Sequence, residues 1–331
     1  MSNRKMRLKQ LLLNGWYGLG GYDCLRLLQR RMVPILFYHR FSVRDEPFKL
    51  KIDRFEHQLR FFKKKYNLIS LSHFTNAMSN GKGLPPNPLI ITIDDGFWDN
   101  YHIAFPVLKR HGVPATIFLA TDFVDQHAWL WSNKLEYILR NSEIERFSYS
   151  LDGHTIELRV DTFEQWHKSQ LTLFNALRRR PDNEKNEILA ALAKQLKVSV
   201  PSETQGDFKP LTWHEIREMY RAGIEFGSHS ASHAILSRVG PEQLKREVVD
   251  SRAIIENVLQ NRVVTFCYPN GQPEDFSEDA IQALKEAGYE CAVTTIKGLN
   301  PAKAPQPFAL KRISVGAADV PRMAKQIQWP D

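Results

Sequence analysis

Short apolar runs that stop abruptly at a polar residue recur along this chain, and they limit its fold more than any other feature. Residues 34–38 end at His39, and the β-branched run 89–93 ends at Asp94-Asp95-Gly96. The run 224–227 leads to His229, 263–268 leads through Pro269 to Asn270, and 310–315 carries Arg312. Apolar stretches of this length without alternation read as strands buried on both faces. Further strands are expected at 68–71, 115–120 and 291–295. Phe55, Leu59, Phe62 and Tyr66 mark a helix at 53–66, and others are expected at about 99–111, 241–260 and 277–287. Thr212 and Glu215 fit a capping box that opens a helix ending near Gly223. Strands alternating with helices from end to end argue a parallel α/β fold, either barrel-like or doubly wound. A barrel would gather His39, Asp94, Asp95, His229, Asn270 and Arg312 at one mouth, because they follow or occupy its strands.

Residues 127–207 break this pattern. They are more polar, with helical periods at 133–140 and 164–195 and a hairpin signal at Asp152-Gly153. They read as a mostly helical insertion on one domain spanning 33–331. With 331 residues, 43% of them apolar, the chain can bury a large core. Residues 1–32 read as a basic, amphipathic arm. Arg4, Lys5, Arg7 and Lys9 precede Leu11-Leu12-Leu13, but Asn14 and Gly15 interrupt the apolar stretch and no small-residue cleavage pattern follows. No cleaved export signal is therefore expected. Leu11, Leu12, Trp16, Tyr17, Leu25, Leu27 and Leu28 suit either a helix packed on the domain, which is the expectation, or an interfacial segment touching an anionic membrane surface. No apolar run approaches the roughly 18 residues of a spanning helix. These features point to the cytoplasm or the cytoplasmic face of the inner membrane.

The net charge is +8, from 45 basic and 37 acidic residues, which suits an anionic partner. The charges form only short clusters, such as Lys63-Lys64-Lys65, and no nucleic-acid-binding motif accompanies them. Cys24, Cys267 and Cys291 are far apart and include no C-x-x-C pair, so neither a disulfide framework nor a cysteine zinc site is indicated.

His229 and His233 stand at i and i+4, which on a helical turn would put both on one face, able to share a cation. Two carboxylates at the end of a buried strand are costly unless a cation or hydrogen bonds compensate them. A cap or turn is the other common use of Asp and Gly. A nucleotide-hydrolysing site would need a phosphate-binding G-x-x-x-x-G-K-[ST] loop, and the chain has none. One carboxylate with two histidines is a facial set that leaves room for water and substrate. The second carboxylate then stays ionised beside the cation and can take a proton from water. An amide leaving group needs a proton in return, and His39, at its own strand end, is the candidate acid.

These residues together resemble the polysaccharide deacetylases of the NodB-homology, carbohydrate esterase family 4 type. Ile93-Asp94-Asp95-Gly96 is similar to the family's first motif, T-F-D-D-G. His229-Ser230-Ala231-Ser232-His233 is similar to the second, H-[ST]-x-x-H, and Phe266 through Gly271 to the third. The resemblance implies a distorted (β/α) barrel and a divalent metal, zinc or a similar ion. It implies Asp94 as catalytic base, Asp95, His229 and His233 as metal ligands, and a backbone N–H at Asn270 for the oxyanion. It also implies that Tyr268 and Pro269 line the substrate groove. Tyr38-His39 is similar to a subgroup, including poly-N-acetylglucosamine deacetylases, whose acid histidine precedes the first motif. Many members carry an arginine in the third motif that orients the aspartate. This chain has Cys267 there, and Arg312 is expected to take over.

The expected reaction is removal of the acetyl group from an N-acetylated sugar, in a polysaccharide, an oligosaccharide or a lipid- or nucleotide-linked precursor. An O-acetyl esterase and a non-catalytic glycan-binding barrel are the alternatives. Among the aromatics near the first motif, Trp98 is the leading candidate to stack on a sugar ring.

Overall fold

The computed structural model describes residues 14–81, 83–126, 128–151, 153–303 and 306–330. Seven parallel strands close into a barrel: β1 (Ile35–Tyr38), β2 (Pro88–Ile93), β3 (Thr116–Leu119), β4 (Glu225–Ser228), β5 (Thr265–Cys267), β6 (Cys291–Lys297) and β7 (Leu310–Ser314). Each pairs with the next in this order, and β7 closes the ring on β1. The barrel reading therefore holds over the doubly wound one.

The unbroken apolar runs fit this architecture, because each strand faces both the barrel interior and the surrounding helices. All six residues of β2 are buried. Its four Leu and Ile side chains each contribute roughly 1.5–3 kcal/mol through burial. Register then places the chemistry. Tyr38 lies opposite Ile93, so His39 and Asp94 leave adjacent strands at one level. Ser228 lies opposite both Leu119 and Phe266, which brings His229 to the same rim.

Several expectations need correction. The run 68–71 is a strand only over Asn67–Leu68. Ser70 then accepts a hydrogen bond from the His73 N–H and caps the helix Leu71–Asn80. The helical segment 241–260 is interrupted by a π-turn at Arg246–Asp250. A C-terminal helix, Val320–Gln328, was not anticipated; Asp319 caps it by accepting from the Arg322 N–H. His229 and His233 do not share a helical turn. Residues 229–235 form an irregular loop, with Ser230 and His233 in the left-handed region at φ 65° and 60°.

The insertion folds as the helices Trp131–Arg140, Phe163–Leu177 and Asp182–Gln195 with an antiparallel pair, Arg146–Leu151 and His154–Arg159. Asp152, half of the expected turn, lies outside the described residues. Leu135, Ile138, Leu173, Leu177, Leu189 and Leu192 form a core of their own, to which Ile235 from the histidine loop also belongs. The helix Gly21–Leu28 buries Tyr22 and packs beside the C-terminal helix, where Gln29 Nε2 donates to the Gln328 carbonyl at 2.9 Å. Arg4, Lys5, Arg7, Lys9 and Leu11–Leu13 lie outside the described residues. Among the described residues, no helix is long and apolar enough to cross a membrane.

Candidate active site

Asp94 continues the β2 ladder, its N–H donating to the Tyr38 carbonyl at 2.9 Å. The chain then turns sharply through Asp95 and Gly96, at φ 77° and 83°. A side chain at Gly96 would meet Leu119 Cδ2 at 2.7 Å, so this turn requires glycine. The two carboxylates consequently part company and enter different surroundings.

Asp94 is held from inside the barrel. Arg312 Nη1 and Nη2 donate to its two oxygens at 2.7 Å each, a bidentate pair almost wholly buried. The guanidinium also donates to the Thr294 carbonyl at 2.7 Å, to Thr92 Oγ1 at 3.0 Å and to Cys267 Sγ at 3.1 Å, and it lies over the Phe37 ring. Burial pushes the Asp94 carboxyl up, but the Arg312 charge and hydrogen bonds outweigh it and hold the group below the ordinary carboxylate range. At Cys267 burial wins over Arg312, and the thiol stays neutral.

Asp95 turns instead toward the histidine loop. Its Oδ1 lies 3.4 Å from His229 Nε2 and 3.4 Å from His233 Nε2. Two atoms bound to one zinc ion at about 2.0–2.1 Å with tetrahedral angles stand about 3.3–3.4 Å apart. The three side chains are buried, and their ligand atoms all lie within 4.8 Å of one another. His229 Nδ1 donates to the Cys267 carbonyl at 2.7 Å, which orients the ring so that Nε2 faces Asp95. Burial opposes ionisation of Asp95, yet the two imidazoles hold it well below the usual range. The donor set and spacing therefore fit a divalent cation. Asp94, His229 and Cys267 also cluster, but the Arg312 charge already occupies Asp94 and Cys267 and opposes a second cation there.

Glu247, on the π-turn, fixes the loop between the two histidines. Fully buried, it accepts from the N–H groups of Ala231 and Ser232 at 2.9 and 2.8 Å and from Ser232 Oγ at 2.6 Å. Sequence reasoning missed it, because nothing in the helical pattern marks a buried glutamate whose partners lie 15 and 16 residues away.

A cavity of about 450 Å³ opens over these groups, lined by His39, Asp94, Asp95, His229, His233, Tyr268 and Asn270. His39 Nε2 stands 3.8 Å from Asp94 Oδ2, and its side chain is 44% exposed. Asn270 is in the left-handed region at φ 59°, and its buried Nδ2 has no hydrogen-bond partner. Tyr268 stacks on Phe276 and donates to the Phe308 carbonyl at 3.1 Å. Pro269 is buried and does not line the cavity. Nor does Trp98, whose ring stacks on His102 at 4.0 Å. The far wall comes from the insertion, through Asn133, Arg140, Gln170 and Arg178 among others. Arg178 ties this wall to the loop after β5 through an ion pair with Asp275 at 2.9 Å.

A sequence model of the family described as polysaccharide deacetylase matches residues 81–292. A putative polysaccharide deacetylase, YxkH, of Bacillus subtilis is 22% identical over 267 residues, covering 80% of this chain and 65% of that protein. The poly-beta-1,6-N-acetyl-D-glucosamine N-deacetylase of Staphylococcus epidermidis is 29% identical over 121 residues, covering 36% of this chain and 39% of that one. The chain thus spans about two thirds or less of the length of these relatives. Among solved structures, the Streptococcus pyogenes deacetylase PplD in complex with acetate superposes with a TM-score of 0.61 at 19% identity, covering 90% of this chain and 99% of that one. IcaB from Ammonifex degensii does so with a TM-score of 0.59 at 15% identity, covering 90% and 97%. These likenesses show the same fold. With the matched segment spanning more than half of its length, the chain belongs to the polysaccharide deacetylase family.

Proposed function

We propose that this chain is a metal-dependent hydrolase that removes the acetyl group from an N-acetylated sugar and releases acetate. The observation that carries this reading is the division of labour between adjacent aspartates. Asp95 faces two imidazoles at cation-sharing distance, while Asp94 is kept ionised by Arg312. Asp95, His229 and His233 would hold the ion. When bound, a divalent cation there supplies a Lewis acid for the acetyl carbonyl and lowers the pKa of water.

The chain's own residues do the rest. Asp94, ionised and aimed at the cavity, takes the proton of the attacking water. The new C–O bond forms as the carbonyl oxygen takes up negative charge, and the Asn270 backbone N–H stabilises that charge. Arg312 keeps the base in place and in its charged form. His39, half exposed beside Asp94, donates a proton to the amine nitrogen as the C–N bond breaks. The free amino sugar and acetate then leave. An acid at this position favours an amide over an ester substrate, because an alkoxide leaves with less assistance. The insertion wall across the cavity supports a substrate longer than one sugar. Residues 33–331 are accordingly read as one functional unit, with the insertion completing the site.

The test is acetate release from N-acetylchitooligosaccharides and from lipid-linked sugar fractions, with metal removed and restored, for wild type and Asp94→Asn. Release that needs the metal and vanishes in the variant supports the proposal. Glycan binding without release from any acetylated sugar would leave a binding barrel instead.

A further inference from the structure

The barrel has a second distinctive end. A cavity of about 570 Å³ opens where Pro88 begins β2, at the opposite end of that strand from Asp94. Its walls are largely apolar, with Met78, Leu84, Pro85 and Ala302, and its rim carries Arg30, Arg31 and Lys303. Arg30 and Arg31 are tied there by their backbones, whose carbonyls accept from the N–H groups of Asn87 at 3.1 Å and Ala302 at 2.8 Å.

These arginines directly follow the helix Gly21–Leu28, which presents an uncovered apolar face. Leu27 and Leu28 are exposed, Leu28 by 82%, and Leu19 before the helix by 86%. Trp16 is exposed nearby, and so is Trp329 at the end of the adjoining C-terminal helix. These five are nearly half of the eleven exposed large apolar side chains among the described residues, so the concentration is local.

Charge singles out the same end. Among the described residues, Arg26, Arg30, Arg31 and Lys303 stand at this end against Asp23. Residues 32–331 together carry 38 basic against 36 acidic residues. Asp23 is itself engaged by Lys65 at 2.8 Å and by Arg26 at 3.3 Å. An apolar face bordered by unbalanced cations matches an anionic lipid bilayer, which accepts side chains at the acyl boundary and cations at the headgroups. A protein partner would need complementary shape, whereas a bilayer needs only these two features.

We infer that the strand-start end of the barrel, with the helix Gly21–Leu28 and the Arg30–Arg31 rim, docks on an anionic lipid surface. The mouth then points away from the lipid, roughly 20 Å off at about 3.3 Å per residue of strand. The inference does not depend on the reaction proposed above.

The test is sedimentation of the full chain with vesicles of phosphatidylcholine alone or mixed with phosphatidylglycerol, at low and high salt. Binding to the anionic vesicles only, weakened by salt, is expected. Arg30→Gln/Arg31→Gln should weaken it by about thirtyfold, at roughly fivefold per arginine. Leu27→Glu/Leu28→Glu should abolish it, with an unchanged Tm showing that the barrel is intact. Equal binding to both vesicles, binding untouched by either double variant, or no binding would overturn the inference. So would a dimer that Leu27→Glu/Leu28→Glu dissociates in the absence of vesicle binding.

Discussion

Arg312 grips Asp94 across 218 residues of sequence, with two 2.7 Å hydrogen bonds made inside the barrel. Arg312 is wholly buried, and Asp94 nearly so, exposed only toward the cavity. A buried pair of this kind contributes little net stability, but losing one partner leaves an uncompensated charge. Arg312→Met should therefore destabilise the fold by about 3–5 kcal/mol, measured by urea unfolding. Arg312→Met with Asp94→Asn should recover most of that stability and none of the activity. If the single variant kept full activity, Arg312 would have no part in holding the base.

The same pair sets a pH dependence. The Asp94 carboxyl is depressed in the folded chain, so its stabilising contribution is present above the unfolded carboxylate value of about 3.9. It is lost as pH falls through the lower folded value. Without Arg312, burial is opposed only by the weaker influence of His39 and His229, and the folded value rises. In a variant that retains measurable activity, such as Arg312→Lys, the acidic limb of the kcat/KM profile should move to higher pH than in wild type. An unmoved limb would assign it to another group.

Chelation should remove activity and added zinc should restore it, while the barrel stays folded by circular dichroism. Asp95→Asn, His229→Ala and His233→Ala should each lower metal occupancy, read directly by elemental analysis. Glu247→Gln should lower metal affinity by about 10–100-fold, the usual cost of losing a group that orients ligands. It should do so without removing any ligand.

His39→Ala separates the two ester and amide readings. Loss of general acid catalysis typically costs about 10²–10⁴-fold in rate. That loss is expected on an N-acetyl substrate and much less on an activated acetate ester. Equal losses on both would show that His39 does more than protonate the leaving group.

Asn133 lines the insertion wall, is only 8% exposed and leaves its Nδ2 without a partner. Asn133→Ala should raise KM for N-acetylchitooligosaccharides and leave kcat nearly unchanged, with less effect on the single sugar. A change in kcat alone would place the residue nearer the reacting carbonyl.

The sequence foretold strand positions well, because a strand buried on both faces must be written as an uninterrupted apolar run. The run 89–93 differs from the strand Pro88–Ile93 by one residue. Arg312 became a candidate through an absence, since Cys267 stood where an orienting arginine was expected and the last strand carried one; in the structure it hydrogen-bonds Asp94. The histidine loop was misread because i and i+4 spacing is shared by a helix and by a loop with two left-handed residues. Glu247, Asn133 and the displaced Trp98 were illegible for a related reason. Their surroundings come from segments far apart in the chain, and no local period records them.

The barrel closes through β1 and β7, which pair with each other. Both lie outside residues 81–292, the stretch by which the family is recognised. His39 leaves one of these closing strands and Arg312 sits on the other. A fragment cut to the recognisable stretch would keep both aspartates and both histidines, and would look intact in any motif comparison. It would nonetheless be an open sheet with two raw edges, a bare carboxylate where the guanidinium had been, and no His39 beside it. The part of this protein easiest to identify is thus not a part that could work alone.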